Sequence, residues 1–286
     1  MQYCEHHAPP SLDAFVECIW FLTDAVDDAG GELGAAQPIL PDGCVELIFH
    51  FQDRFHAVGR RGVLHRQPAS FVVGMLTTPL VVGAAGRVDT MAVRFRPGGA
   101  YPFLGLPLAE LTDRFVDLDD LWGRDEAQRL WIALAAATDE ATRVAVISRA
   151  LIDRAAAFQP DPLTASAVGA IVTSAGCARI DALAARYGVT TRQLQRRFAE
   201  RVGVGPKMLS RILRFQRTLL LRASMDADRT EWVRIAADCG YADQSHLIHD
   251  YAAFAGATPA SLLAAESELS AYFTAPQRLA ALFARR

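Results

Sequence analysis

The sequence predicts an α+β protein: an amino-terminal small β-barrel or jelly-roll-like part with helices of its own, then an all-α part containing two helix-turn-helix units. Three observations predict it. First, the stretch between Ile180 and Pro259 repeats. Leu183-Ala184-Ala185-Arg186-Tyr187-Gly188-Val189 returns as Ile235-Ala236-Ala237-Asp238-Cys239-Gly240-Tyr241, and Leu194, Phe198, Gly203 and Pro206 return as Leu247, Tyr251, Gly256 and Pro259. Each copy reads as helix, glycine turn, helix. Second, before about residue 105 short apolar runs are cut by Gly and Pro, as strands are. Third, charge is segregated beneath a net −3: residues 1–178 hold 13 Arg against 22 acids, while 179–222 hold 11 Lys/Arg against Asp181 and Glu200. Residues 223–263 swing back, with six acids against Arg229 and Arg234.

In chain order, Cys44 to Phe51 follows the turn Pro41-Asp42-Gly43 and alternates in character. Val45, Leu47, Phe49 and Phe51 are expected to face a core, with Glu46 and His50 on the other side. Ser70 to Gly74 is a short apolar run, and Thr90 to Arg96 alternates again before Pro97-Gly98-Gly99. Arg94 and Arg96 share one face of that strand, which reads as open to water or as a receiver of an anionic effector. Asp125 to Ala137 and Asp139 to Ala157 carry apolar residues three and four apart, the spacing of amphipathic helices. Pro160 and Pro162 end the second of these. Leu163 to Ala175 is the next helix, closed by Gly176. The expected division is a part over 1–158 (strands about 1–105, helices about 125–157), a linker at 159–162, a second part over 163–265 and a tail over 266–286.

Composition narrows the function classes. No window approaches about 18 uninterrupted apolar residues, so no membrane span is expected. Glu5, His6 and His7 stand where an export signal would place a basic start and an apolar run. Five cysteines with no CxxC pair fit a reduced cytoplasm better than a disulfide framework. His50, His56 and His65 are scattered, so no metal site is expected, and no cofactor is implied. There is no GxSxG and no cysteine–histidine pair at diagnostic spacing, so no catalytic residue is assigned.

The duplicated units carry the functional signal. Their helices cross closely, which requires a small side chain at the crossing (Ala184, Ala236) and a residue tolerant of left-handed backbone at the turn (Gly188, Gly240). Leu194 and Phe198, then Leu247 and Tyr251, pin the second helix of each unit on the first. With Leu194-Gln195-Arg196-Arg197-Phe198, Gly203-Val204-Gly205-Pro206 and Asp243-Gln244-Ser245-His246-Leu247 added, the stretch from about Leu163 to Leu263 resembles the DNA-binding domain of the AraC/XylS family of bacterial transcription regulators. The resemblance implies seven helices, the two units being joined by a long central helix, here Pro206 to Ala223. It implies a first recognition helix from about Thr191 to Val202, capped by Thr190 or Thr191. Arg192, Gln193, Gln195 and Arg196 are then turned toward the major groove, where Arg reads guanine and Gln reads adenine. Arg197, Arg201 and Lys207 are the expected phosphate contacts. Along the central helix, Leu209, Ile212, Leu213, Leu219 and Leu220 read as the buried stripe, while Arg211, Arg214 and Arg217 touch phosphate or solvent.

The second unit departs from the family pattern. Its reading helix, Asp243 to Ala255, has no Lys or Arg, and His249 stands where members usually place a base. Gln244, Ser245, His246 and His249 remain as candidate contacts. Asp243 and Asp250 are expected to weaken its hold on phosphate.

Ile39 to Phe49, Val93 to Ala100 and Leu118 to Trp122 resemble a sensor domain found ahead of this DNA-binding domain. The wider family implies a cupin-like barrel that binds an effector, followed by helices that dimerise. Candidate effector contacts are Trp20, Phe49, His50, Phe51, Arg94, Phe95, Arg96 and Tyr101, although a barrel interior needs large side chains for packing anyway. The expected protein is a cytoplasmic, homodimeric regulator that binds double-stranded promoter DNA under the control of a small molecule, with RNA polymerase as a further partner. A cupin-like barrel enzyme fused to a DNA-binding domain, and a regulator without a ligand, are the alternatives.

Overall fold

Ten strands in the described residues form two antiparallel sheets. The computed structural model describes residues 1–23, 36–58, 63–84, 86–156, 158–223 and 232–264; the expected tail over 266–286 lies outside them. The larger sheet runs β1 (Gln2–His6), β2 (Val16–Thr23), β9 (Asp89–Phe95), β4 (Val45–His50), β7 (Ser70–Val73), β10 (Phe115–Asp117). The smaller runs β3 (Gln37–Ile39), β8 (Leu80–Gly83), β5 (His56–Val58), β6 (Leu64–Arg66). Neither ladder closes on itself among the described residues. Among the described residues the part is an open two-sheet arrangement with helices behind it, mixed α+β.

The central strands of the large sheet are buried on both faces, because alternate residues serve different neighbours. Ile19, Phe21, Val45, Leu47, Phe49, Met91, Val93 and Phe95 pack toward the helices. Cys18, Trp20, Leu22, Ile48, Phe71 and Ala92 pack toward the small sheet. Behind the first face lie α1 (Tyr101–Leu104), α2 (Leu118–Trp122), α3 (Arg124–Ala136) and α4 (Glu140–Ala155). The expected outward face of β9 is corrected here. Arg94 is 1% exposed, enclosed between the sheets and paired with Glu46 (2.6 Å) and Asp42 (3.7 Å). Arg96, beyond the strand end, donates instead to the Asp13 backbone carbonyl (2.7 Å).

The second part contains α5 (Pro162–Thr173), α6 (Ile180–Arg186), α7 (Thr191–Val202), α8 (Pro206–Ala223), α9 (Trp232–Asp238), α10 (Gln244–Ala255) and α11 (Pro259–Ala264). The apolar cluster behind the large sheet continues without a break into these helices, from Leu12 to Tyr251 and Phe254. Helix α8 is the element that both halves share. Leu209, Ile212, Leu213 and Phe215 are wholly buried, whereas Leu219 and Leu220, expected in the same stripe, are only half-buried near its end. Arg211 and Arg214, expected at phosphate or solvent, stitch the helices instead. Arg211 donates to Asp250 (2.7 Å) and Arg214 to the Gly176 carbonyl (3.2 Å).

Gly176 also lets α5 approach α8: its φ is +80°, and an added Cβ would lie 2.1 Å from the Ser210 carbonyl oxygen. At Gly188 φ is +66° but nothing lies within 4 Å. Replacing Gly188 by Ala should therefore cost only the left-handed backbone strain, about 1–2 kcal/mol. Gly176→Ala should cost clearly more, since α5 must also retreat. Urea unfolding midpoints of the two variants check this ordering.

Candidate functional site

Each helix-turn-helix unit is held by the same three devices. Gly188 and Gly240 adopt positive φ in the turns. Leu194 and Phe198 in α7, and Leu247 and Tyr251 in α10, are buried against α6 and α9. The reading helices are capped by side chains: Thr190 accepts from Gln193 N (3.1 Å), and Asp243 from His246 N (2.8 Å).

Pinning one face of α7 leaves the other to solvent. Thr191, Arg192, Gln193, Gln195 and Arg196 are exposed and, with Thr190 and Ala199, line one open concavity. Gln193 is already committed in part. Its Oε1 accepts from Thr190 N (2.8 Å) to complete a reciprocal capping box, so pairing with adenine through both amide atoms requires surrendering that bond. Arg197 and Arg201 are drawn back toward the start of α5, where Asp161 accepts from Arg197 (2.9 Å) and lies 3.4 Å from Arg201. The Arg201 guanidinium also sits 4.8 Å from the Tyr101 ring centre. Burial works against ionisation of Asp161, but hydrogen bonds from Thr164 and the Arg197 guanidinium outweigh it and hold its carboxyl below the usual carboxylate range. Lys207 is exposed in the first turn of α8.

On α10, Gln244, Ser245, His246 and His249 are exposed. The expected contribution of Asp250 to repulsion is corrected. Asp250 is 0% exposed and paired to Arg211 and so is withdrawn from the surface of α10, whereas Asp243 stays exposed at the helix cap. What distinguishes the second unit is the absence of Lys and Arg from α10, not the presence of Asp250.

The second feature is a cavity of about 80 Å³ between the sheets. Its apolar walls include Trp20, Leu22, Ile48, Phe55, Leu80 and Val82; its polar groups are Asp42, Glu46, His50, Gln67, Thr90 and Arg94. Burial disfavours the Arg94 charge, but the Glu46 and Asp42 carboxylates outweigh it and keep the guanidinium cationic. His50 hydrogen-bonds Gln67 Oε1 through Nε2 (3.0 Å) and Thr90 Oγ1 through Nδ1 (2.9 Å). An amide oxygen only accepts, so Nε2 carries the proton and Nδ1 accepts from the Thr90 hydroxyl. Burial pushes the imidazole down to about 4, only partly opposed by Gln67.

The effector candidates therefore divide. Trp20, His50 and Arg94 line this cavity. Arg96 and Tyr101 line a separate groove beside α5, with Phe15, Phe158 and Asp161. Phe49 and Phe95 are 0% exposed in the core on the opposite face of the sheet, so they touch neither. Phe51 is half-buried under the Arg143 guanidinium, 4.0 Å from its ring centre. Sequence reasoning missed Asp42, Glu46, Gln67 and Thr90. It also missed a cluster that ties β1 to α4: Cys4 and His6, alternate residues of one strand, meet Glu140, with His6 Nε2 2.6 Å and Cys4 Sγ 3.2 Å from Oε2.

Comparison with known proteins agrees with the geometry of the duplicated helices. Residues 183–265 match the family described as "Helix-turn-helix domain". Residues 4–117 match a family described as "Domain of unknown function (DUF6597)". No curated protein sequence matches the chain. Among solved structures, ToxT from Vibrio cholerae is similar in three forms. An apo variant is 12% identical, with 85% of this chain and 96% of that one covered and a TM-score of 0.41. A second form is 10% identical over 85% and 97%, with a TM-score of 0.43. The wild type bound to an unsaturated fatty acid is 13% identical over 85% and 94%, with a TM-score of 0.42. In this chain, α6–α7 and α9–α10 are the two helix-turn-helix units and α8 joins them. No helix among the described residues is long and apolar enough to cross a membrane.

The cavity wall makes a testable statement about pH. His50 is held neutral, its value lowered from an ordinary 6.5 to about 4. Its contribution to stability is complete above pH 6.5 and is lost as pH falls toward 4, because the unfolded chain takes up the proton first. A shift of that size corresponds to roughly 3 kcal/mol. His50→Gln preserves an acceptor for Thr90 and a donor for Gln67 without a titrating group. Its stability should fall less steeply over that interval than the wild type's, as measured by urea unfolding at several pH values.

Proposed function

We propose that the chain is a sequence-specific transcription regulator that binds double-stranded promoter DNA, its DNA affinity set by a small molecule held between the two sheets. Residues 1–158 sense, and residues 163–265 read DNA. The loop Leu40–Cys44 carries this reading. Leu40, Asp42 and Cys44 line the cavity. The intervening residues face the other way: the Pro41 carbonyl accepts from Gln216 Nε2 of α8 (2.6 Å), and a Cβ on Gly43 would lie 3.3 Å from Leu209 Cδ1. A ligand that moves the inner residues of this loop necessarily presses on the helix that sets the two units relative to each other. In linkage terms, a ligand with higher affinity for one arrangement shifts the population competent to grip DNA.

The cavity lining supports binding without turnover. Arg94 is engaged by carboxylates, and His50 is neutral between two hydrogen-bond partners. For assembly, we take α3 and α4 as the face where two copies meet. Ile132 (53% exposed) and Ile152 (37% exposed), one on each helix, support this choice.

Within the DNA-binding part, the first unit carries most base discrimination, since Arg192 and Arg196 are exposed and α10 has no equivalent base. Using a duplex selected by the protein from a random pool, Arg196→Ala should weaken binding by about tenfold or more, the worth of 1–3 kcal/mol of base contact. His249→Ala should weaken it far less. Equal losses in electrophoretic mobility-shift titrations would refute the asymmetry. Gln216→Leu tests the coupling. It should leave affinity for the selected duplex near wild type while reducing the response of DNA binding to a cavity ligand.

A further inference from the structure

A donor set typical of a transition metal lies on the face of the large sheet opposite the cavity. Cys4 and His6 are alternate residues of β1, so both side chains leave the strand on one side, and Cys4 packs with the apolar cluster behind the sheet. Glu140, in the first turn of α4, meets them there. Its Oε2 lies 2.6 Å from His6 Nε2 and 3.2 Å from Cys4 Sγ, and the three ligand atoms all lie within 4.8 Å of one another. Both elements are held in place independently of this contact. β1 pairs with β2 in continuous antiparallel register, Cys4 opposite Phe21 and His6 opposite Ile19, and the His6 ring stands steeply against that of Phe21, 5.4 Å between centres. The start of α4 is capped by Asp139, which accepts from Thr142 N (2.8 Å). Arg143, one turn on, binds the Asp89 carboxylate of β9 through both terminal nitrogens, at 2.8 and 3.1 Å.

We infer that Cys4, His6 and Glu140 form a binding site for a single zinc ion, with water in the fourth position. Thiolate, imidazole and carboxylate are the side-chain ligands zinc takes, whereas magnesium and calcium prefer oxygen throughout. Thiolate and carboxylate together cancel the ion's double charge, so a half-buried site gains no net charge on loading. A tetrahedral ion about 2.0–2.3 Å from each ligand atom sets those atoms about 3.3–3.6 Å apart. Cys4 Sγ and Glu140 Oε2 already stand near that spacing. His6 Nε2 and Oε2 have to part by less than about 1 Å to reach it, a movement open to the Glu140 side chain, which is 43% exposed. Before loading, Nε2 donates to the carboxylate, because that oxygen only accepts. Loading puts the ring proton on Nδ1 and sends the thiol proton to water, since zinc takes a thiolate and a neutral imidazole. His6 is 36% exposed, so solvent reaches the site both to deliver the ion and to fill the fourth position. The bound ion clamps β1, the outermost strand of the larger sheet, to α4.

Metal titrations of the full chain, stripped by a chelator and kept reduced, test this. Zinc should bind at one equivalent per chain and raise the unfolding temperature by mass action, and a large excess of magnesium should do neither. Cobalt(II), a coloured stand-in for zinc, should give a sulfur-to-metal charge-transfer band that added zinc bleaches. Cys4→Ser should abolish that band. His6→Ala should weaken zinc binding at least about a hundredfold, more than the loss of an outer-shell partner costs. Cys177→Ser, at an exposed cysteine in the second part, should leave band and affinity at wild-type values. Glu140→Gln is the mildest change, since it keeps an oxygen acceptor for both neighbours. It should unfold cooperatively without metal and lose the zinc-induced rise in unfolding temperature. A plain hydrogen-bonded cluster predicts the opposite pattern, with each variant destabilised equally in the presence and absence of zinc. A wild-type chain that shows no saturable one-to-one zinc binding overturns the inference without any variant. A cobalt band that survives in Cys4→Ser, or wild-type zinc affinity in His6→Ala, does so as well.

Discussion

The arrangement depends on helix α8 being approachable from several sides at once. It carries the α6–α7 unit at one end and the α9–α10 unit along its length, and it lies against the amino-terminal part as well. Close approach to a helix is possible only where the neighbour has little bulk. Gly176 supplies this for α5, and Gly43 supplies it for the loop ahead of β4. Polar bonds then fix the registers that packing leaves loose: Gln216 to the Pro41 carbonyl, Arg214 to the Gly176 carbonyl, Arg211 to Asp250. A buried pair such as Arg211–Asp250 stabilises little on balance, yet losing one partner strands the other, so it specifies geometry more than it adds stability.

The helical half was legible because its constraints are local. A small residue at the crossing, a glycine in the turn and two apolar residues one turn apart fall at fixed spacings, and α7, α8 and α10 lie where the family resemblance carried by that pattern places them. The sheets were legible only where one face differs from the other. β4 and β9 alternate visibly. β2, which reads Val16-Glu17-Cys18-Ile19-Trp20-Phe21-Leu22, was overlooked because both its faces are buried and alternation disappears.

The cavity was harder to read for a related reason. Glu46 and His50 were correctly set apart from Val45, Leu47 and Phe49, but one strand does not reveal whether its polar face meets water or a second sheet. Arg94 was misassigned on that point, since the carboxylates that neutralise it come from the β4 strand and the loop before it, far away in sequence. The Cys4, His6 and Glu140 cluster is invisible in the chain for the same reason: its members are brought together by the docking of α4 on β1.

The capping box at Thr190 divides the exposed surface of α7 into fixed and exchangeable positions. Gln193 helps to start the helix, so replacing it alters folding as well as the exposed surface. Arg192 and Arg196 belong to no hydrogen bond or ion pair of the described residues. Changes there leave the scaffold intact, and under the proposed DNA-reading role, divergence among descendants of this protein toward new target sites has its least obstructed route through these two arginines.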